Sequence, residues 1–102
     1  MATWVLSPIA ESELADILDY IADQSGSRRV TEGVLADFVA AFERLAASPG
    51  IGFRRSQLTS RDVRWWPVHS YLVVYDPEAM PLRVVRVVHA ARDLMRLLEG
   101  DE

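Results

Sequence analysis

The hydrophobic pattern of the chain changes its period near residue 50, and this change restricts the fold more than any other feature. Before it, apolar residues recur every three or four positions, as in amphipathic helices. After it come three β-branched and aromatic runs, "VRWWPV", "YLVVYD" and "LRVVRVV", which are typical of strands. A chain of 102 residues can bury one hydrophobic core. We therefore expect a single domain, residues 1–102, that combines a helical half with a sheet.

Two helices are predicted in the first half. Ser7 suits an N-cap and Pro8 the first position of a helix over 8–24. A second helix is predicted over 28–47, and the link around Gly26 is short enough to make the two an antiparallel hairpin. Their apolar stripes are Ala10, Leu14, Ile17, Leu18 and Ile21 in the first helix, and Val34, Leu35, Phe38, Phe42 and Leu45 in the second.

The second half predicts a sheet. The stretch after residue 50, "IGFRRSQLTSRD", has no clear period and is interpreted as a loop. Pro67 to Ser70 and "DPEAMP" are short connections, so the three strands are expected to be antiparallel neighbours. With "TWVL" as a first strand and "ARDLMRLL" as a last helix, the order is β-α-α-β-β-β-α. This is an α+β fold, an antiparallel sheet of three or four strands with the N-terminal helical hairpin on one face. The predicted core includes Leu14, Ile17, Phe38, Phe42, Tyr71, Val73 and Val85.

Charge is unevenly distributed along the chain. Residues 1–50 carry eight acidic side chains and three arginines, whereas residues 51–98 carry four acidic side chains and eight arginines. The net charge of the whole chain is −4. Such a chain is poorly suited to nucleic acid through its overall field, but its basic half suits an anionic or acidic partner. All the basic residues are arginine, which pairs well with carboxylates and phosphates.

Several classes of protein are disfavoured by what the sequence lacks. There is no cysteine, so neither a disulfide nor a thiolate metal site is possible. There is no long apolar run and no secretory signal, which indicates a cytoplasmic protein with no membrane association. His69 and His89 lie outside nucleophile or metal-ligand patterns, and we interpret them as structural. No cofactor and no metal are expected, since "PGIGF" lacks the lysine and spacing of a phosphate-binding loop.

Two pairs of residues are candidates for partner contacts. Trp65 and Trp66 are adjacent on a strand, so one is expected in the core and the other nearer solvent, as a rim or a partner anchor. Arg83 and Arg86 are three apart and should face opposite ways. One of them should reach the covered side of the sheet, where Asp93 is a candidate carboxylate partner.

Nearly the whole chain resembles the ParE/RelE superfamily of toxins from bacterial type II toxin–antitoxin pairs. The resembling stretches are "SPIAESELADILDYIADQ", "SPGIGFRR", "PVHSYLVVYD" and "RVVRVVHAARDLMRLL". The most specific are Arg86-Val87-Val88-His89 followed by Arg92-Asp93-Leu94, with Tyr71 and Tyr75 in the central strand. The resemblance implies the fold predicted above and a toxin held by an antitoxin in a hetero-oligomer.

The superfamily contains two activities. RelE-like members cleave messenger RNA on the ribosome with basic side chains and often a tyrosine near the C-terminus, whereas ParE-like members bind and poison DNA gyrase without catalytic residues. This chain lacks lysine and has Leu94-Met95 where the nucleases tend to carry tyrosine, so it is closer to ParE.

The ParE-like alternative implies a gyrase inhibitor neutralised by a ParD-like antitoxin, with no catalytic residue. Its implied target-binding residues are Arg92, Asp93, Leu94, Met95, Arg96 and Leu98. Its implied antitoxin-binding residues are Trp65, Trp66, Arg83 and Arg86. The mRNA endonuclease remains the alternative, with RNA contacts from Arg54, Arg55, Arg61, Arg64 and His89. A module that binds an antitoxin but is not toxic is the third.

Overall fold

The computed structural model describes residues 3–54 and 63–92 of the chain. Its elements are β1 (Trp4–Leu6), α1 (Pro8–Ser25), α2 (Arg28–Ala47), a 3₁₀ turn (Pro49–Ile51), β2 (Arg64–Val68), β3 (Tyr71–Asp76) and β4 (Leu82–His89). Residues 90–92 form a helical turn after β4, and the rest of the predicted last helix lies outside the described residues. The predicted α+β fold and element order are confirmed as far as the last strand.

Side-chain caps define the helical hairpin. The Ser7 hydroxyl accepts a hydrogen bond from the Ala10 N–H at 3.0 Å and starts α1, with Pro8 as its first residue. Gly26 ends α1 in the left-handed conformation, at φ 63°, which glycine adopts without steric cost. Ser27 then caps α2 by accepting from the Val30 N–H at 3.2 Å. The two helices therefore begin and end within a residue of the predicted positions.

The sheet has the order β1-β4-β3-β2. β3 is antiparallel to both β2 and β4, as predicted, but β1 is parallel to β4. The prediction of a purely antiparallel sheet was therefore wrong for β1, since a strand separated from its partner by two helices and two strands is not restricted to the antiparallel direction. Pro67, expected in a turn, belongs to β2, an edge strand where a residue without an N–H is tolerated.

A β-bulge in β4 changes which side chains reach the core. Val74 pairs with Arg86 and Tyr75 with Val84, so Val85 is an extra residue opposite β3. Its side chain packs against the small cluster on the face away from the helices, and the prediction of Val85 in the main core was wrong. Val84 and Val87, before and after the bulge, take that place.

The main core lies between the helical hairpin and the sheet. Of the predicted core residues, Leu14, Phe38, Phe42 and Val73 are buried there, while Ile17 and Tyr71 are partly buried against it. Leu35, which belonged to the predicted stripe of α2, is 39% exposed. The opposite face of the sheet buries a separate cluster of Trp65, Val74 and Val88.

Candidate interaction surfaces

The segment between α2 and the undescribed stretch 55–62 is fastened to the sheet. The backbone N–H of Phe53 donates to the Trp65 carbonyl at 2.8 Å, and the Trp65 N–H donates back to the Phe53 carbonyl at 2.9 Å. The Tyr75 hydroxyl accepts from the Gly52 N–H at 2.9 Å and donates to the Pro49 carbonyl at 2.6 Å. The segment predicted to be an irregular loop is thus held in one position at its start.

Gly52 and Tyr75 are matched in shape. A Cβ on residue 52 would lie 2.3 Å from the Tyr75 hydroxyl oxygen, so only glycine fits without a shift. Burial raises the pKa of Tyr75 above its ordinary value of 10.0, although the Gly52 N–H and the nearby Arg64 charge act to lower that pKa. Arg64 donates from Nη1 to the carbonyls of Gly50 at 3.2 Å and Gly52 at 3.0 Å. This guanidinium therefore stabilises the segment from Pro49 to Phe53.

An exposed aromatic surface results from this anchoring. The Phe53 ring is 59% exposed and is stacked on Trp66, with ring centroids 6.4 Å apart and planes inclined by 21°. The guanidinium carbon of Arg44, on α2, lies 5.6 Å from the centroid of the same Trp66 ring. Neither Phe53 nor Arg44 was a candidate from the sequence, because no periodicity marks a residue at an isolated β-bridge.

The two adjacent tryptophans face opposite sides of the sheet, as predicted. Trp65 is only 6% exposed and belongs to the cluster on the face away from the helices. Its indole Nε1 is buried and has no hydrogen-bond partner among the described residues. Trp66 is half-buried against the main core, and of the two it is the one within reach of a partner.

A carboxylate from α1 caps the edge of β4. β1 pairs with β4 only as far as Val84, and beyond it Glu13 Oε1 accepts the Val87 N–H at 2.9 Å. Arg86 donates to the same carboxylate, from Nε at 2.9 and 3.1 Å and from Nη2 at 2.7 Å. Arg86 thus contacts α1 through Glu13 at the edge of β4, although its register partner Val74 belongs to the cluster on the face away from the helices. The predicted partner Asp93 lies outside the described residues.

Both histidines have structural contacts. His89 Nδ1 accepts the Arg92 N–H at 3.2 Å, which caps the helical turn after β4, and the His89 ring meets Tyr71 edge to face at 5.5 Å. His69, at positive φ in the β2–β3 turn, lies 2.7 Å from the Asp37 carboxylate on α2. Within residues 3–54 and 63–92, no group of three potential metal ligands occurs.

Comparison with known protein families shows which family this chain belongs to. A family profile described as the ParE toxin of the type II toxin–antitoxin system, parDE, matches residues 5–94. The chain belongs to the ParE toxin family. This membership confirms the resemblance found in the sequence. No curated protein sequence matches the chain.

The fold is also that of a solved ParE-type structure. The chromosomal ParDE toxin–antitoxin system from P. aeruginosa contains a chain that superposes with a TM-score of 0.68 at 15% identity, covering 87% of this chain and 96% of that one. At this identity the likeness concerns the fold alone. It places the helical hairpin and sheet described above among ParE-type folds.

On this ParE fold only some of the residues predicted for function lie in the described part of the chain. Of the target-binding candidates, Arg92 is exposed, and Asp93, Leu94, Met95, Arg96 and Leu98 lie outside the described residues. Of the RNA-binding candidates, Arg54 is exposed, and Arg55 and Arg61 lie outside. No helix in the described part of the chain has the length and apolarity that crossing a membrane requires.

Proposed function

We propose that this ParE toxin inhibits DNA gyrase by binding it in the cytoplasm and is neutralised by a ParD-like antitoxin. The match to the ParE toxin family over residues 5–94 carries the proposal. ParE-like toxins, as opposed to RelE-like ones, are the members of the superfamily that act on gyrase, and they act without catalytic groups of their own.

The contacts of the basic residues favour binding over catalysis. Cleavage of RNA by its own 2′-hydroxyl requires a group that moves the proton and cations that stabilise the phosphate. In this chain Arg64 donates to two backbone carbonyls, and His89 Nδ1 is engaged as a helix cap. Turning Arg64 Nη1 to a phosphate, or using His89 Nδ1 as a proton acceptor, would break a contact that supports the fold.

The segment after β4 is the proposed gyrase-binding element. A helical turn at residues 90–92 follows β4 directly and is fastened to it by the His89 cap. The sequence that continues it has Arg92 and Arg96 beside Leu94, Met95 and Leu98. Apolar side chains with charges around them are typical of protein recognition surfaces.

The proposed antitoxin meets both signs of charge on this toxin. The toxin surface that it contacts includes the acidic helical hairpin and the basic second half of the chain. Folding of an antitoxin segment on such a surface typically buries about 1,000–3,000 Å². Of the four residues expected to bind it, Trp65 is buried and Arg86 is bound to Glu13. Trp66 is half-buried and Arg83 is exposed, and the Arg86 side chain is 45% exposed despite its pairing with Glu13.

Expression of the toxin without its neighbouring gene tests the target. We expect DNA replication to stop before protein synthesis, with induction of the SOS response, filamentous cells, and inhibition of purified gyrase on supercoiled plasmid. Deletion of residues 92–102 should abolish all of these, whereas deletion of the acidic tail 99–102 should leave them intact. Circular dichroism should show that both truncated chains remain folded, because the deletions are terminal.

Other outcomes would identify the alternatives. Rapid ribosome-dependent cleavage of messenger RNA, with gyrase unaffected by excess toxin, would assign the chain to the RelE-like activity. Absence of any growth defect would indicate a module that only binds an antitoxin. Co-expression with the adjacent gene product should yield a complex that survives purification, and separate elution at micromolar concentration would refute the antitoxin pairing.

A further inference from the structure

Phe53, Trp66 and Arg44 form an exposed surface on the described part of the chain, which we call the Phe53 patch. We propose that the Phe53 patch docks an acidic segment of the antitoxin through an apolar anchor residue. The inference rests on the antitoxin partnership proposed above and adds the place and the chemistry of one contact.

The patch is held in its exposed position before any partner arrives. Two backbone hydrogen bonds join Phe53 to Trp65, and the Tyr75 hydroxyl holds Gly52 and Pro49. The Phe53 ring nonetheless remains 59% exposed. A large apolar side chain that is fixed and yet left in solvent loses little conformational entropy on binding, which is a property of strong binding sites. Ile51, two residues earlier, adds a second partly exposed apolar side chain, at 37%.

The composition of the patch favours a protein partner. Tryptophan and arginine are enriched among the residues that contribute most to protein–protein affinity. Trp66 contacts both the Phe53 ring and the Arg44 guanidinium, so the three side chains form one continuous surface. An aliphatic or aromatic side chain of a partner could cover Phe53 while a carboxylate pairs with Arg44.

The charge at the patch favours an acidic partner. Within the described residues 44–54 and 63–66 there are three arginines and no acidic side chain, although the whole chain has a net charge of −4. A single-stranded nucleic acid could also stack on an exposed aromatic ring. However, its affinity depends on many phosphate contacts and is weakened by an acidic protein. An acidic peptide needs only the local charge, so the observations favour the peptide.

Four substitutions test the proposal against the full-length product of the adjacent gene. Phe53→Ala should weaken the toxin–antitoxin dissociation constant about 30-fold, as truncation of a central anchor does. Its control is Met80→Ala, because Met80 is 95% exposed and lies between β3 and β4, outside the patch. Arg44→Gln should weaken binding about 2- to 5-fold and reduce its salt dependence. Its control is Arg28→Gln, an exposed arginine of the same helix, which should change neither.

The folded state of each variant is checked separately. Protection of the Phe53 and Trp65 amide protons from hydrogen exchange shows whether the bridge between them persists in Phe53→Ala. If the bridge is lost, Arg44→Gln still tests the patch, because Arg44 belongs to α2 and makes no part of the bridge.

The outcomes separate this inference from the proposed function. Unchanged antitoxin affinity in both Phe53→Ala and Arg44→Gln would refute the patch while leaving the antitoxin pairing intact. If the unaltered toxin does not bind the adjacent gene product, the pairing and the docking site both fail. Retained antitoxin binding with lost binding of an oligo-dT strand in Phe53→Ala would assign the patch to nucleic acid and overturn the proposal.

Discussion

In the described part of the chain, twelve buried residues form the cluster between the helical hairpin and the sheet, whereas the cluster on the opposite face of the sheet has three. The twelve residues come from both helices and from β2, β3 and β4, with the partly buried Trp4 and Leu6 of β1 packed against them. The three residues of the second cluster come from β2, β3 and β4 only. The difference teaches that the helix-covered face determines whether the chain folds. Changes to exposed residues such as Phe53 and Arg44 are therefore better suited to probing recognition.

Truncation of Phe42 should produce the largest loss of stability. Its ring is fully buried on the covered face and lies 4.9 Å from the Trp4 ring, so Phe42→Ala should cost about 3–5 kcal/mol through lost burial and an unfilled cavity. Val88→Ala, on the opposite face, removes two methyl groups and should cost about 2 kcal/mol. Urea denaturation measures both free energies of unfolding. Equal costs would contradict the asymmetry between the faces.

Tyr75 tests how the covered face holds the Pro49–Phe53 segment. Tyr75→Phe leaves the buried Gly52 N–H without its acceptor and should cost about 1–3 kcal/mol at neutral pH. Gly52→Ala should cost at least as much, because the new Cβ meets the hydroxyl. Gly33→Ala is its control, since a Cβ at this position of α2 would meet nothing within 4 Å.

The same tyrosine makes stability depend on alkaline pH. Because the pKa of Tyr75 is raised in the folded state, the folded chain keeps its phenolic proton after the unfolded chain has lost it. The hydroxyl thus contributes its full stability below pH 10.0 and progressively less as the pH rises above that value. The difference in unfolding free energy between the unaltered chain and Tyr75→Phe should shrink from pH 10 upward. A constant difference would show that the pKa is the same in both states.

Removal of the Glu13 carboxylate should have a smaller effect, at the edge of β4. Glu13→Ala leaves the Val87 N–H and Arg86 without this acceptor and should cost about 1–2 kcal/mol. The estimate is low because the side chains of Arg86 and Glu13 remain 45% and 23% exposed. Glu13→Gln can still accept the Val87 N–H and should cost about half as much. Hydrogen exchange at Val87 should accelerate in the alanine variant only, and unchanged exchange there would show that Glu13 is not the cap.

The smallest effect is expected for Trp65→Phe on the opposite face. The substitution removes contacts, but it also removes a buried indole N–H that has no partner among the described residues. The two changes oppose each other, so the free energy of unfolding should fall by no more than about 1 kcal/mol. Trp65→Ala also removes the N–H but leaves a larger cavity, so it should cost more than Trp65→Phe and less than Phe42→Ala. A cost of Trp65→Phe well above about 1 kcal/mol would mean that the N–H is satisfied in the folded chain.

Candidate contacts were harder to predict than the fold. The sequence indicated that one tryptophan of the pair is buried and that the other lies nearer solvent. It did not indicate the Phe53 patch, since the exposure of Phe53 depends on Trp65, Tyr75 and Arg64 holding its segment. It also did not indicate Glu13 as the partner of Arg86, since the two are 73 positions apart. Such contacts leave no periodic pattern in the chain.

The sequence by itself determined the elements whose causes are local. Ser7-Pro8, Gly26 and Ser27 specify where the helices begin and end, because caps act within three or four residues. Alternating β-branched and aromatic residues specify the strands. Only the tertiary structure decided that β1 runs parallel to β4 and that Val85 bulges away from the core. Those outcomes depend on which distant backbone groups and surfaces meet when the hairpin packs on the sheet, and that packing is a property of the whole chain.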